Sequence, residues 1–95
     1  MITAKTPLFQ MGQVVATPGG IKALEDAKLS AWDLLSRHCI GDFGDLDADD
    51  RQSNLDAIQH GDRILSAYKL NTGERVWVIT EADRSSTCIL RPDEY

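Results

Sequence analysis

The stretch Arg63-Ile-Leu-Ser-Ala-Tyr-Lys-Leu-Asn-Thr-Gly-Glu-Arg-Val-Trp-Val-Ile-Thr-Glu-Ala-Asp-Arg-Ser-Ser-Thr-Cys-Ile-Leu-Arg91 reads as three short strands and two turns, and the rest of the chain is arranged to cover it. The runs over 64–70 and 76–80 are rich in β-branched and aromatic residues. They flank Asn71-Thr72-Gly73-Glu74, a short Gly-containing connection of the kind that closes a hairpin. A third run over 87–90 follows Ala82-Asp83-Arg84-Ser85-Ser86, a polar cluster with turn chemistry. In the first run Ile64, Tyr68 and Leu70 face one way while Leu65 and Ala67 face the other; in the second, Val76 and Val78 oppose Trp77 and Ile79. A central strand apolar on both sides needs cover on both. Either the sheet curls around its own core, or a second molecule covers its open face, which makes a homodimer an expectation.

Upstream, residues 8–16 place Phe9, Met11 and Val15 on one face at period two with Val14 and Ala16 on the other, which predicts a strand; Gly12 marks a bulge or a close backbone approach. Thr17 is the N-cap of a first helix with Pro18 at its first position, running to about Ala27 and burying Ile21, Leu24 and Ala27. Ser30 and Asp33 open a second helix to about Ile40, whose Leu34, Leu35 and His38 share a face with Trp32 displaced from it; Gly41 ends it. Asp47 caps a third, with Asp49 and Asp50 in the first turn, Leu55, Ile58 and Ala57 on the buried side, and Gly61 after His60. The fold expected is α+β over a single domain, 1–95: an N-terminal strand, two to three short helices, then a three-stranded antiparallel meander, with the helices packed on one face of the sheet. Alternation leaves open whether 8–16 pairs with 63–70 or lies beside 87–90.

Ninety-five residues at 42% hydrophobic and 26% charged make one ordinary globular domain, too short for a second catalytic unit. No apolar run is long enough to span a bilayer, and Met1-Ile-Thr-Ala-Lys-Thr-Pro7 lacks the continuous apolar region of a signal peptide, so neither a membrane partner nor export is expected. Cys39 and Cys88 have no metal-ligand spacing and read as free thiols in a reducing cytoplasm. A net charge of −5 opposes binding to nucleic acid, although Arg63, Lys69, Arg75, Arg84 and Arg91 are spread over the sheet region and a local positive face is compatible with that total.

Three constellations carry chemistry-bearing side chains. Asp45-x-Asp47-x-Asp49 copies the start of a calcium loop, but Asp50 stands where that loop requires Gly and Asp56 replaces its closing Glu; capping and solvated charge account for these residues, and no metal or cofactor is expected. His38 and His60 sit near helix ends, where a favourable interaction with the helix C-terminus competes with acid–base catalysis, and Cys39 does not face its neighbour His38. The third group, Tyr68, Trp77, Glu81, Asp83, Arg84 and Ser85, supplies the candidate binding residues, because the run from Thr80 to Thr87 carries more functional side chains than a hairpin needs. Phosphate-cradling, zinc and nucleophile-elbow motifs are lacking, and no catalytic residue is assigned.

With Gly12-Gln-Val-Val-Ala-Thr-Pro-Gly19, Gly41-Asp-Phe-Gly-Asp-Leu-Asp47, Arg63-Ile-Leu-Ser-Ala-Tyr68 and Trp77-Val-Ile-Thr-Glu-Ala-Asp-Arg-Ser85, the chain resembles a family of small uncharacterised bacterial proteins found largely on plasmids and other mobile elements. That resemblance implies a small cytoplasmic accessory protein and transfers no catalytic residue. More loosely, helices followed by a meander, with His38, Arg63, Tyr68, Arg84 and Thr87 available, look like small bacterial ribonuclease toxins of the barnase and RelE-like kind, from which the acidic charge departs. The leading expectation is a non-enzymatic module that binds a protein partner or dimerises through its sheet. A small RNA-cleaving enzyme is the alternative, and a regulator holding a small ligand near Tyr68 and Trp77 is the third.

Overall fold

A computed structural model describes residues 6–95; residues 1–5, part of the segment read above as lacking a leader, lie outside the described residues. The order is β1 (Gln13–Ala16), α1 (Pro18–Ala27), α2 (Ala31–His38), α3 (Ala48–His60), β2 (Ile64–Lys69), β3 (Arg75–Thr80), β4 (Ser86–Leu90) and a final 3-10 turn, Pro92–Glu94. β2, β3 and β4 run antiparallel in sequence, and β1 adds parallel to β4, giving one mixed four-stranded sheet in the order β1-β4-β3-β2. The question left open by alternation is thus answered: β1 lies beside the last strand, with Val14 opposite Thr87 and Ala16 opposite Ile89.

The helices form where their caps are written. Thr17 accepts the Gly20 N–H at 3.0 Å with Pro18 at the first position of α1. Asp33 reaches back to the Ser30 N–H at 2.8 Å at the start of α2, and Asp47 accepts the Asp50 N–H at 2.8 Å at the start of α3. Taken in order, the helices step across one face of the sheet: α1 lies on β4, α2 on β3 and α3 on β2. Ala23, Leu24, Ala27, Leu34 and Leu35 pack on Tyr68, Leu70, Val76, Val78 and Ile89, while Ala57 packs with Phe43 and Ile64.

Four expectations need correction. The N-terminal strand is only Gln13–Ala16; Leu8 donates its N–H to Cys39 O at 2.8 Å and Phe9 packs edge-on to His38, so 8–12 follow the helical layer instead of the sheet. Gly12, at φ 64, is the close approach anticipated, since a Cβ there would stand 2.4 Å from the carbonyl oxygens of Arg84 and Ser85. Helix two stops at His38, short of Ile40. Ile21 and Leu55 are 47% and 44% exposed, because α1 contacts the sheet through Gly20, Ala23, Leu24 and Ala27 and α3 through Asn54 and Ala57. Small residues win these contact faces where helix and sheet backbones come close: a Cβ on Gly20 would lie 2.5 Å from Ile89 O.

The outer edge of β2 is closed along Leu65 and Ala67. The Asn54 amide donates to Leu65 O at 2.7 Å and accepts the Leu65 N–H at 3.0 Å. Next along the strand, Ala67 N–H reaches Phe43 O at 3.0 Å and Ala67 O accepts the Asp45 N–H at 2.7 Å, a parallel bridge that admits only glycine at position 44, where φ is 76 and a Cβ would stand 2.0 Å from Ala67 O. Because Asn54 satisfies two backbone groups from a buried position, Asn54→Ala is expected to lower stability by about 2–3 kcal/mol. Urea unfolding checks this as a fall in midpoint at unchanged slope.

Candidate functional site

The helix-covered face of the sheet holds a polar line through an otherwise apolar core. His38, Ser66, Thr80 and Thr87 are all fully buried. His38 Nδ1 lies 2.6 Å from Ser66 Oγ and Nε2 lies 2.8 Å from Thr80 Oγ1; Thr80 Oγ1 lies 2.7 Å from Thr87 Oγ1, which bonds Met11 O at 2.7 Å. The direction of every proton follows from the last partner. Met11 O accepts only, so Thr87 donates to it; Thr80 then donates to Thr87, His38 donates from Nε2 to Thr80, and Ser66 donates to Nδ1. Burial pushes the His38 pKa down to about 4, so the ring is neutral and its tautomer is fixed by this network. The helix C-terminal role expected of His38 is therefore replaced by a core cross-link between α2 and three strands. A ring with no solvent access also has no contact through which to move a proton on an external substrate.

The six candidate binding residues do not converge. Tyr68 and Trp77 lie on opposite faces of the sheet, because Ala67, not Tyr68, is paired with Trp77. Tyr68 is buried under the helices, donating its hydroxyl to Asp42 O at 2.6 Å beneath the Arg37 guanidinium, and burial pushes its pKa up to about 12. Glu81 is paired with Arg63 at 3.1 Å. Asp83 shapes the turn, its carboxylate lowered in pKa by hydrogen bonds from Ser85, which is exposed.

Arg84 is a clasp. It sits at φ 61, and its guanidinium donates to Ala57 O, Asp62 O, Glu81 O and Ala82 O at 2.7–3.2 Å, tying the β3–β4 turn to the end of α3, where the helix dipole favours a cation. The other arginines near the sheet are engaged as well: Arg63 with Glu81 and Tyr95, Arg91 with Glu74 and Asp93. The charges needed for a basic RNA cleft are thus committed to carboxylates and carbonyls.

What remains is the other face of the sheet. Val15, Cys88, Ile79 and Leu65 stand in register across all four strands, and Leu90, Trp77 and Ala67 form a second row across three. None of the three α-helices lies over these rows, yet Ile79 and Leu90 are buried, Leu65, Ala67, Trp77 and Cys88 are half-buried and only Val15 is exposed; part of the cover is Tyr95, whose ring meets Trp77 edge-on at 5.6 Å while its hydroxyl accepts from Arg63 at 2.7 Å. Sequence alternation found this face through Trp77 and Ile79 but missed Val15 and Cys88, whose register depends on the parallel pairing of the first and last strands. A shallow groove of ≈ 390 Å³ beside α3, lined by Leu8 and Leu55 among others, lies away from Tyr68 and Trp77.

The aspartates of the 42–50 segment are used locally. Asp42 forms a two-bonded pair with Arg37, whose hydrogen bond lowers its pKa; Asp45 faces Arg75 at 3.9 Å, and Asp47 caps α3. Among the described residues no group of three or more His, Cys, Asp or Glu side chains is placed to hold a metal ion, and no helix is long and apolar enough to cross a membrane. Both cysteines are free thiols. No protein-family model, curated protein or solved structure matches this chain.

The buried neutral histidine gives a pH signature. Its folded pKa of about 4 lies below the unfolded value of 6.5, so as the pH falls the unfolded chain binds a proton first. Stability should be full above pH 6.5 and decline between there and pH 4, by about 3 kcal/mol. Urea unfolding at pH 7.5, 6 and 5 should show this decline in the wild type. The His38→Gln variant, less stable at pH 7.5, should lose the part of the slope between pH 6.5 and 5; equal slopes would mean that His38 is not the group responsible.

Proposed function

We propose that this protein is a small accessory protein of a mobile element that acts by non-enzymatic association, binding a protein partner or a second copy through its sheet. The observation that carries this is the apolar face, two cross-strand rows of Leu65, Ala67, Trp77, Ile79, Cys88, Leu90 and Val15 that no helix covers. On this face Ile79 and Leu90 are buried, Leu65, Ala67, Trp77 and Cys88 are half-buried and Val15 is 43% exposed, so what it offers is a partly covered apolar strip that opens at β1, a kind of surface that supports protein association. Trp77 at its centre, rigid and half-buried, is the residue type that dominates interface energetics. The assignment to mobile elements rests on the sequence resemblance alone.

Self-association is the form of this function that purified protein can test. Light scattering over about 1–300 μM should find a molar mass approaching twice the 10.5 kDa of the chain at the upper end and falling on dilution. One chain mass at every concentration would overturn the self-associating form.

A further inference from the structure

The two edges of the sheet are built differently. At β2 the outward backbone groups of Leu65 and Ala67 are all taken by Asn54, Phe43 and Asp45. At β1 they are not. Gln13 donates to Ser85 O and Thr17 to Ile89 O, so in the parallel ladder the odd-numbered residues face β4 while Val14 and Ala16 turn their N–H and C=O groups outward. Among the described residues nothing bonds them. The side chains add to the contrast: Val14 and Val15, on opposite faces, are each 43% exposed. Edge strands are ordinarily protected by short length, charge, proline or a covering segment, and β1, at four residues, has only the first of these. Here the chain carries no charged residue from Thr6 to Ile21, although 26% of the whole is charged, and the strand itself contains no proline.

We infer that the edge of β1 is a strand-addition site whose occupant is β1 of a second copy, the two strands running antiparallel about a two-fold axis at Val15. The geometry is self-complementary. With Val15 opposite its own symmetry mate, Val14 falls opposite Ala16 of the other copy in a hydrogen-bonded pair, and the reverse pair repeats it, so each outward N–H and C=O of the two strands finds a partner. The strand carries no charge of its own; the carboxylate nearest it, Glu94, accepts from Thr17 Oγ1 at 2.6 Å and from the Gly19 N–H at 3.1 Å, so in the pair the two copies of it lie at opposite ends of the joined strands. Val15 meets Val15 on the apolar face, extending the Val15–Cys88–Ile79–Leu65 row across both molecules. Two four-stranded sheets become one of eight strands with a single continuous apolar face. This rests on the association proposed above and specifies the element that performs it.

The test is light scattering of wild type, Val14→Pro, Val15→Lys and Trp77→Glu at matched concentrations, with amide exchange followed residue by residue in the wild type. Proline at position 14 removes an outward donor and leaves the ladder to β4 untouched. Lysine at 15 brings two ammonium groups together at the axis from a position that needs no burial, which keeps the test valid should the proline variant fail to fold. Both variants are expected to stay folded and to dissociate about a hundredfold more readily, a larger loss than Trp77→Glu produces. The Val14 and Ala16 amides are expected to gain protection as concentration rises. A dimer that survives Val15→Lys but is split by Trp77→Glu would overturn the edge and keep the sheet face as the associating surface. A monomer at every concentration would overturn both.

Discussion

The parallel ladder between Gln13–Ala16 and Ser86–Leu90 is the constraint on which the rest depends. A parallel pair cannot be joined by a tight turn, so everything between β1 and β4 must cross over the sheet and return. In this chain the crossover contains all three helices, and they take one face because each has a strand beneath it: α1 on β4, α2 on β3, α3 on β2. The helix-covered core and the open β1 edge thus have a common origin in strand order.

The covered face does not depend on apolar packing alone. A neutral histidine, two threonines and a serine at its centre need every donor and acceptor matched, since an unpaired one would be destabilising by a few kcal/mol. The chain Ser66 to His38 to Thr80 to Thr87 to Met11 O satisfies that condition and does so in one direction only. Leu34 and Leu35 would pack on the sheet in several registers; the His38 bonds hold in one. The polar line therefore sets where α2 sits, and through Met11 O it fixes the approach of the chain to β1.

Elements marked by local chemistry were legible in the sequence. Thr17-Pro18, Ser30 with Asp33, Asp47 and Gly61 specify helix ends through hydrogen bonds within a few residues, and the structure uses each of them. The three C-terminal strands were legible for the same reason: alternation and turn residues act locally. What could not be read depends on distant partners. Leu8 to Met11 alternates like a strand, yet the carbonyl of Cys39 and the ring of His38 claim it for the helical layer. Ile21 and Leu55 match a helical period, yet close contact with the sheet backbone selects Gly20, Ala23 and Ala57. Arg84 and Tyr68 looked available because hydroxyl and guanidinium groups in or near a turn usually are; carbonyls from α3 and from residue 42 take them. Alternation sets Trp77 opposite Val76 and Val78, as the structure has it, but its separation from Tyr68 follows from strand register.

Charge distribution decides how a chain at −5 brings two copies together. The acidic residues of α3 and its preceding loop lie at the β2 end of the sheet, and the Arg63–Glu81 and Arg91–Asp93 pairs stand beside the face that carries Trp77. The end of the sheet opposite α3 is β1, in a stretch without charged residues, where the one carboxylate bonded to its flank is Glu94, held by Thr17 and Gly19. Repulsion between like-charged copies falls off over roughly 8 Å at physiological salt, so what matters is the charge adjoining the contact, not the total. An antiparallel β1 pair brings together the neutral edges and sets the acidic ends at the two extremities of the joined sheet. A face-to-face stack would lay each α3 edge near the other molecule's sheet, within range of that repulsion. Charge and unpaired backbone therefore favour the same edge, for independent physical reasons.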